Sequence, residues 1–192
     1  MGRPVKNYEA ITLKYAEDVV NGEILAARYT ILACQRHLDD LEKIGSKNWR
    51  YDFDPAKGIR ACKFIENMPH TKGKWAGKPF IMEPWQIFIV MSIFAWVDAE
   101  TGLRRFRRAE VHVPRKNGKS ILAAAIALFM LVADHENGAE VYVGATSEKQ
   151  AYEVFRPATY MANNAPKFKS TYGVEVYKSN IIVPKKGSRF EP

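Results

Sequence analysis

Asn117-Gly118-Lys119-Ser120 sets an ammonium and a hydroxyl directly after a glycine, the groups that hold phosphate and magnesium ion. Gly118 lets the main chain approach an anion closely, and N–H groups at a helix start present a positive end to it. In a phosphate loop of this kind Lys119 reaches the β- and γ-phosphates of a nucleoside triphosphate, and Ser120 holds Mg²⁺. The match to G-x-x-x-x-G-K-[ST] is incomplete, because Val113 stands where the first glycine belongs. Pro114 then keeps Val113 extended and ends the strand. Arg115 and Lys116 add two further cations to the loop. The plainer reading of the same residues is a basic turn capping a buried helix.

The flanking elements decide between these readings, since the triplet cradles phosphate only between a strand and a helix. Phe106–Val113 contains the alternation Ala109-Glu110-Val111-His112-Val113 and predicts a strand, and Lys119–Asp134 predicts a helix with an apolar run from Ile121 to Ala133. Glu140–Gly144 predicts a second strand. Ser147 to Asn163 predicts a second helix, with Ser147 and Gln150 spaced as a capping box. Val174–Tyr177 and Ile181–Val183 flank Lys178-Ser179-Asn180 as a hairpin. Strand, helix, strand, helix implies an α/β fold with a mostly parallel sheet of the P-loop NTPase kind, flanked by helices.

An N-terminal helical region precedes this core. One helix is expected around Tyr8–Val20 and another after Gly22, with Ile24, Leu25, Ile31, Leu32, Leu38, Leu41 and Ile44 as its apolar stripe and Gly45 as its stop. Asp54-Pro55 opens a third helix reaching Met68, and Glu83-Pro84 a fourth that is apolar through Val97. Between them lies a basic, glycine-rich loop, Pro69–Pro79, with Lys72, Lys74, Lys78 and Trp75 interleaved. The expected division is a helical region over 1–80 and an ATPase core over 81–192.

Composition narrows the classes. With 192 residues, 47% hydrophobic and 26% charged, the chain suits one globular domain or a domain with an extra lobe. A net charge of +8 leans toward an anionic partner such as nucleic acid or nucleotide. Cys34 and Cys62 form no disulfide framework, and Cys34 with His37 lacks the further ligands of a zinc site. The longest apolar run has 13 residues, Ile121–Ala133, which is too short to cross a bilayer, and Met1 to Asn21 lacks the pattern of a signal peptide. A reducing cytoplasm is the expected setting.

An ordered set of motifs extends beyond the loop: Pro84-Trp85-Gln86, Arg104-Arg105-Phe106-Arg107-Arg108, Pro114 through Ser120, and Val143-Gly144-Ala145-Thr146 followed by Gln150-Ala151. Gly22-Glu23-Ile24-Leu25-Ala26, Cys34 through Leu41, Phe64-Ile65-Glu66 and Gly73-Lys74-Trp75-Ala76-Gly77-Lys78-Pro79 precede them. Together they resemble the N-terminal ATPase part of the large terminase subunit, the DNA-packaging motor protein of tailed bacteriophages, over nearly the whole chain. The resemblance implies ATP as substrate and Mg²⁺ as cofactor. It also implies double-stranded DNA, the small terminase subunit and the portal as partners, a homo-oligomeric ring at full length, and a place in the host cytoplasm and at the procapsid portal. It gives Lys119 and Arg115 catalytic roles, Arg115 acting in cis on the γ-phosphate, and includes Lys116, Asn117 and Gly118 in the nucleotide loop. It makes Gln86 the adenine-reading glutamine, whose amide can donate and accept at once. Without the resemblance Gln86 is a polar residue in a helix's first turn, Trp85 suits a core, and capping accounts for Ser147.

These motors also use an apolar strand ending in Asp-Glu, which holds the magnesium shell and polarises water. Leu128 through Asp134 with Glu136 imitates it, but Asp134 falls about 20 Å along the helix from the loop and is rejected. The chain is therefore expected to be the front part of a terminase, ending before the acidic motif and the nuclease domain. Unpaired apolar strand edges, weak ATP binding and negligible hydrolysis by the chain alone follow from that expectation. Two other readings stand beside it: a helicase-like P-loop ATPase, and a non-catalytic module with a vestigial phosphate loop that grips DNA through Arg104–Arg108 and Lys185–Arg189. Those two basic runs suit a DNA grip or a solvated face equally.

Overall fold

The computed structural model describes residues 6–192; the first five residues of the segment read as lacking a signal peptide lie outside the described residues. Packing divides the chain into two compact units, one of Met1–Lys63 with Met82–Val111 and one of Phe64–Ile81 with His112–Pro192. This grouping differs from a linear split at 80/81, because the helix after Glu83 packs with the N-terminal helices. Among the described residues, no helix is long and apolar enough to cross a membrane.

The first unit is built on α1 (Tyr8–Val20), α2 (Arg28–Glu42), the start of α3 (Pro55–Glu66) and α4 (Pro84–Ala95). Asn7 caps α1 by accepting from the Ala10 amide at 3.0 Å, and the Asp54 carboxylate accepts from the Ala56 amide at the head of α3. Pro55 and Pro84 each take the first position of their helix, where no N–H is needed. α1 packs on both α2 and α4, with Ala16, Val19, Cys34 and Phe88 at the centre. A two-stranded antiparallel ribbon, β1 (Tyr51–Phe53) with β2 (Trp96–Asp98), completes the unit.

The stripe expected on α2 is buried only in part, through Leu38, which packs against the core. Leu25 and Leu32 are exposed, whereas Cys34, His37 and Asp40 point inward. The reason is a polar arrangement that hydropathy cannot register. The His37 Nδ1 accepts from the Trp96 indole N–H at 3.0 Å, and Phe53, Phe88 and Trp96 ring the imidazole edge-on. Asp40 forms an ion pair with Arg105 at 2.7 Å, angled outside hydrogen-bond geometry, and the Arg105 guanidinium lies over Trp49, Tyr51, Trp96 and Phe106. Cys34 and His37 are thus core residues.

The second unit holds α5 (Lys119–Val132), β3 (Glu140–Tyr142), α6 (Glu148–Asn164), α7 (Phe168–Tyr172), β4 (Glu175–Val176), β5 (Ile181–Val183) and β6 (Ser188–Glu191). Its sheet runs β3-β6-β5-β4. β3 and β6 are parallel, whereas β5 pairs antiparallel with both β6 and β4. The expected mostly parallel sheet is therefore not what the described residues form: one pairing of three is parallel. The strand expected over Phe106–Val113 carries no ladder pairing either. Its alternation is present, but a strand exists only through a neighbour's hydrogen bonds, and β3 has β6 as its partner. The hairpin was legible, and the Tyr177 amide donates to the Asn180 carbonyl at 2.8 Å across its turn.

Burial drives the His37 imidazole down to about 4 and outweighs the raising pull of Asp40, while Arg36 lowers it further. A depressed folded value means the neutral ring is favoured. Its stabilising contribution is complete above the usual 6.5 and is lost as pH falls from there through about 4. An NMR titration should find His37 still neutral at a pH one unit below its ordinary midpoint; a midpoint at the ordinary value would contradict the packing described.

Candidate nucleotide-phosphate site

α5 is placed by its apolar sides. Leu122, Ala124, Ala125, Leu128, Phe129 and Leu131 are buried, and the helix packs on α6, β3 and β6. Phe129 meets Phe64 edge-on at 5.4 Å. The Lys186 ammonium donates to the Val132 carbonyl at 3.0 Å, a cation at the negative end of the helix. The opposite end is built differently. Gly118 precedes the helix in the left-handed conformation (φ 74°), gives no side-chain cap, and no acidic residue occupies the first turn. Arg115, Lys116 and Lys119 lie within four residues of that start in the chain, so the positive end of the helix dipole adjoins three cations in sequence and no acidic residue in its first turn.

The loop leading in is a tight turn. Lys116 also lies in the left-handed region (φ 69°), a strained setting for a residue with a side chain. The Asn117 side-chain amide donates to the Pro114 and Arg115 carbonyls at 3.2 and 3.3 Å and holds the turn closed. Among the described residues, Arg115 and Lys116 form a tight turn, and no amide from Arg115 to Gly118 makes a well-formed hydrogen bond to a main-chain carbonyl. The Lys119 ammonium folds back over the loop, donating to the carbonyls of Val113 and, at 3.2 Å, Pro114. Arg115, Lys116, Asn117 and Lys119 are exposed, and Gly118 and Ser120 are half-buried. Amides without well-formed main-chain bonds, a lysine across them and a cationic helix start form a concentrated anion-receptive feature.

The other sequence-derived residues are distributed differently. Gln86 is buried at the start of α4, where its carbonyl oxygen accepts from the Glu83 amide at 2.9 Å. Ser147 caps α6, accepting from the Gln150 amide at 3.4 Å; Gln150 completes its part with the Thr146 hydroxyl at 2.8 Å, so only half of the capping box forms. Asp134 lies two residues beyond the C-terminal end of α5, opposite the loop, in keeping with its rejection. Among the described residues, no group of three or more His, Cys, Asp and Glu side chains could hold a metal ion.

The two basic runs are partly structural. Arg105 is enclosed in the first unit's aromatic cluster. Arg189 pairs with Glu140 at 2.8 Å and donates to the Tyr142 hydroxyl at 2.9 Å, and Lys186 ties down α5. Lys185–Arg189 hides β6, the strand that joins β3 to the hairpin. The buried Ser188 and Phe190 alternating with Arg189 were the signal that its charge obscured.

Fold and site define an α/β protein with an anion-receptive loop heading a buried helix. The family described as "Terminase large subunit, ATPase domain" matches residues 84–191, and the chain belongs to that family. It is 33% identical over 113 residues to the terminase large subunit of Enterobacteria phage HK97, covering 58% of this chain and 21% of that protein. The crystal structure of the HK97 bacteriophage large terminase superposes with a TM-score of 0.57 at 28% identity, covering 70% of this chain and 26% of that one. The chain thus spans about a fifth to a quarter of the length of the relatives it matches. An ATPase domain uses a nucleotide in general, and the match does not favour the helicase-like or vestigial readings.

Replacing Gly118 by Ala should cost about 1–2 kcal/mol, because a β-carbon is disfavoured in the left-handed conformation. Thermal unfolding measures this; an unchanged midpoint would mean the turn does not need glycine.

Proposed function

We propose that the loop Val113–Ser120 binds the phosphates of ATP, and that this chain is the nucleotide-handling part of a motor that packages double-stranded DNA into a procapsid. The carrying observation is the set of amides without well-formed main-chain bonds beneath Lys119 at an uncapped, cationic helix start. Hydrogen bonds to an ionised partner are roughly twice as strong as neutral ones, so phosphate oxygens should take the ammonium from the carbonyls of Val113 and Pro114.

Each residue then has a separate task. Lys119 neutralises the terminal phosphates, and Gly118, Asn117 and Lys116 shape the amide cradle. Arg115 offers a guanidinium to charge developing on the γ-phosphoryl group, as arginine fingers do. The Ser120 hydroxyl, half-buried in the first turn of α5, is the group to hold Mg²⁺. When bound, that ion supplies charge neutralisation across the phosphate oxygens. Gln86 retains an amide NH₂ and a second lone pair on its capping oxygen, enough to read an adenine edge. Membership of the P-loop NTPase class, with the mixed sheet that the described strands form, belongs to the same proposal. So do the small terminase subunit, the portal, a homo-oligomeric ring and the host cytoplasm.

Lys119→Ala should weaken binding of a fluorescent ATP analogue by about 10- to 100-fold, the range for losing a charged hydrogen-bond partner. Calorimetric or fluorescence titration reads this. Equal affinity in the variant would rule out the phosphate role.

A further inference from the structure

The basic loop Pro69–Pro79 is given no role in the nucleotide site proposed above. Its main chain is held by several hydrogen bonds of its own. Pro69 and Pro79 face each other in an isolated antiparallel bridge. The His70 amide donates to the Lys78 carbonyl at 2.7 Å, the Gly77 amide to the His70 carbonyl at 2.9 Å, and the Lys78 amide to the Trp75 carbonyl at 2.9 Å. Gly73 and Gly77 supply left-handed turns (φ 71° and 77°) at either end of a single 3₁₀ turn, Gly73–Trp75. The base is anchored by buried Met68 and Phe80, with the Phe80 amide donating to Met68 and the Phe80 ring edge-on to His70.

That scaffold holds an indole in water. Trp75 is 51% exposed although it is the largest apolar side chain available for a core. The Lys74 and Lys78 ammonium groups lie 5.3 and 5.0 Å from its ring centre. Lys72 has a 4.0 Å contact with Glu153 in which both side chains are more than half exposed, an ion pair of little strength. From Asn67 to Met82 the chain contains no acidic residue. A solvated face needs neither a fixed backbone nor an exposed tryptophan. Two lysines beside the indole, and Lys72 three residues before it in the loop, match a polyanion that also offers flat or apolar surface, which is the chemistry of a nucleic-acid backbone with its sugars and bases. Pre-forming the loop lowers the ordering cost of such a contact.

We propose that Pro69–Pro79 is a DNA-contacting loop of this chain, with Lys72, Lys74 and Lys78 on the phosphates of a duplex and Trp75 against the deoxyribose edge of a groove. It rests on the proposed handling of double-stranded DNA and gives that role a surface separate from the phosphate loop. Of the basic runs that suited a DNA grip, Arg105, Lys186 and Arg189 are committed to internal partners, which shifts weight to this loop.

The test uses the full chain and a fluorescent 20-base-pair duplex of arbitrary sequence, with anisotropy read across a salt series (~50–200 mM). The variant K72Q/K74Q/K78Q should bind at least about tenfold more weakly, with the slope of log affinity on log salt reduced by about 2–3, as loss of three phosphate contacts requires. Trp75→Ala should bind several-fold more weakly with its slope unchanged, because the indole carries no charge. Thermal unfolding of both variants should match the parent, since the exchanged side chains lie on the surface. Parental affinity and slope in both variants would overturn the proposal, and so would losses seen only with a single-stranded oligonucleotide. Binding of the ATP analogue is measured on the same samples. Loop variants that lose duplex but keep nucleotide support the assignment. Nucleotide binding indifferent to Lys119→Ala sinks the phosphate-loop reading and leaves the duplex result standing by itself.

Discussion

A positive potential without a side-chain cap at the head of α5 shapes the candidate site. Most helices cancel that potential with a Ser, Thr, Asp or Asn cap or an acidic first turn. Here the cap is a left-handed glycine, the first turn carries a lysine, and two further cations precede it. Nothing in the loop relieves this beyond neutral carbonyls lying under the Lys119 ammonium. The cost is tolerable because the rest of the helix is secured by its apolar packing and by Lys186 at the far end. A ligand bearing several negative charges is the simplest counterpart to that imbalance.

The first unit follows another logic. Its interior is organised by polar contacts among aromatic rings: an imidazole receiving an indole N–H, and a guanidinium set between a carboxylate and four rings. Asp98 belongs to the same pattern. It accepts from the amides of Thr101 and Glu100 and from Arg50, and these bonds hold its carboxyl below the usual carboxylate range. Such networks fix one arrangement because each displaced member would strand a buried polar partner.

What could be read from the residues divides along physical lines. Helices with capping signals were legible: Asp54, Pro84 and Ser147 each stand at or beside the start of a helix. So was the Gly118–Lys119 junction, since a left-handed residue before an apolar run leaves few alternatives. The α2 face was only partly legible because its burial depends on partners far away in the chain, Trp96 and Arg105, which hydropathy periodicity does not see. β6 was concealed by the charges of Lys185, Lys186 and Arg189, and β1 and β2 are three-residue strands too short to show a period. Strand direction is a property of pairing, so the mixed sheet could not be read from element order alone. Within the site, residue types and spacing were visible in the sequence, whereas the fold-back of Lys119 and the Asn117 brace were not.

Amide hydrogen exchange across residues 115–120, with and without magnesium and ATP, addresses the central claim most directly. These amides make no well-formed main-chain bond along the loop and head a helix without a side-chain cap, so they should exchange rapidly in the free protein. Saturating nucleotide should slow them by more than about tenfold while the α7 and hairpin amides stay unchanged. Exchange in this segment that is already slow without nucleotide, or that is indifferent to saturating nucleotide, would contradict the account.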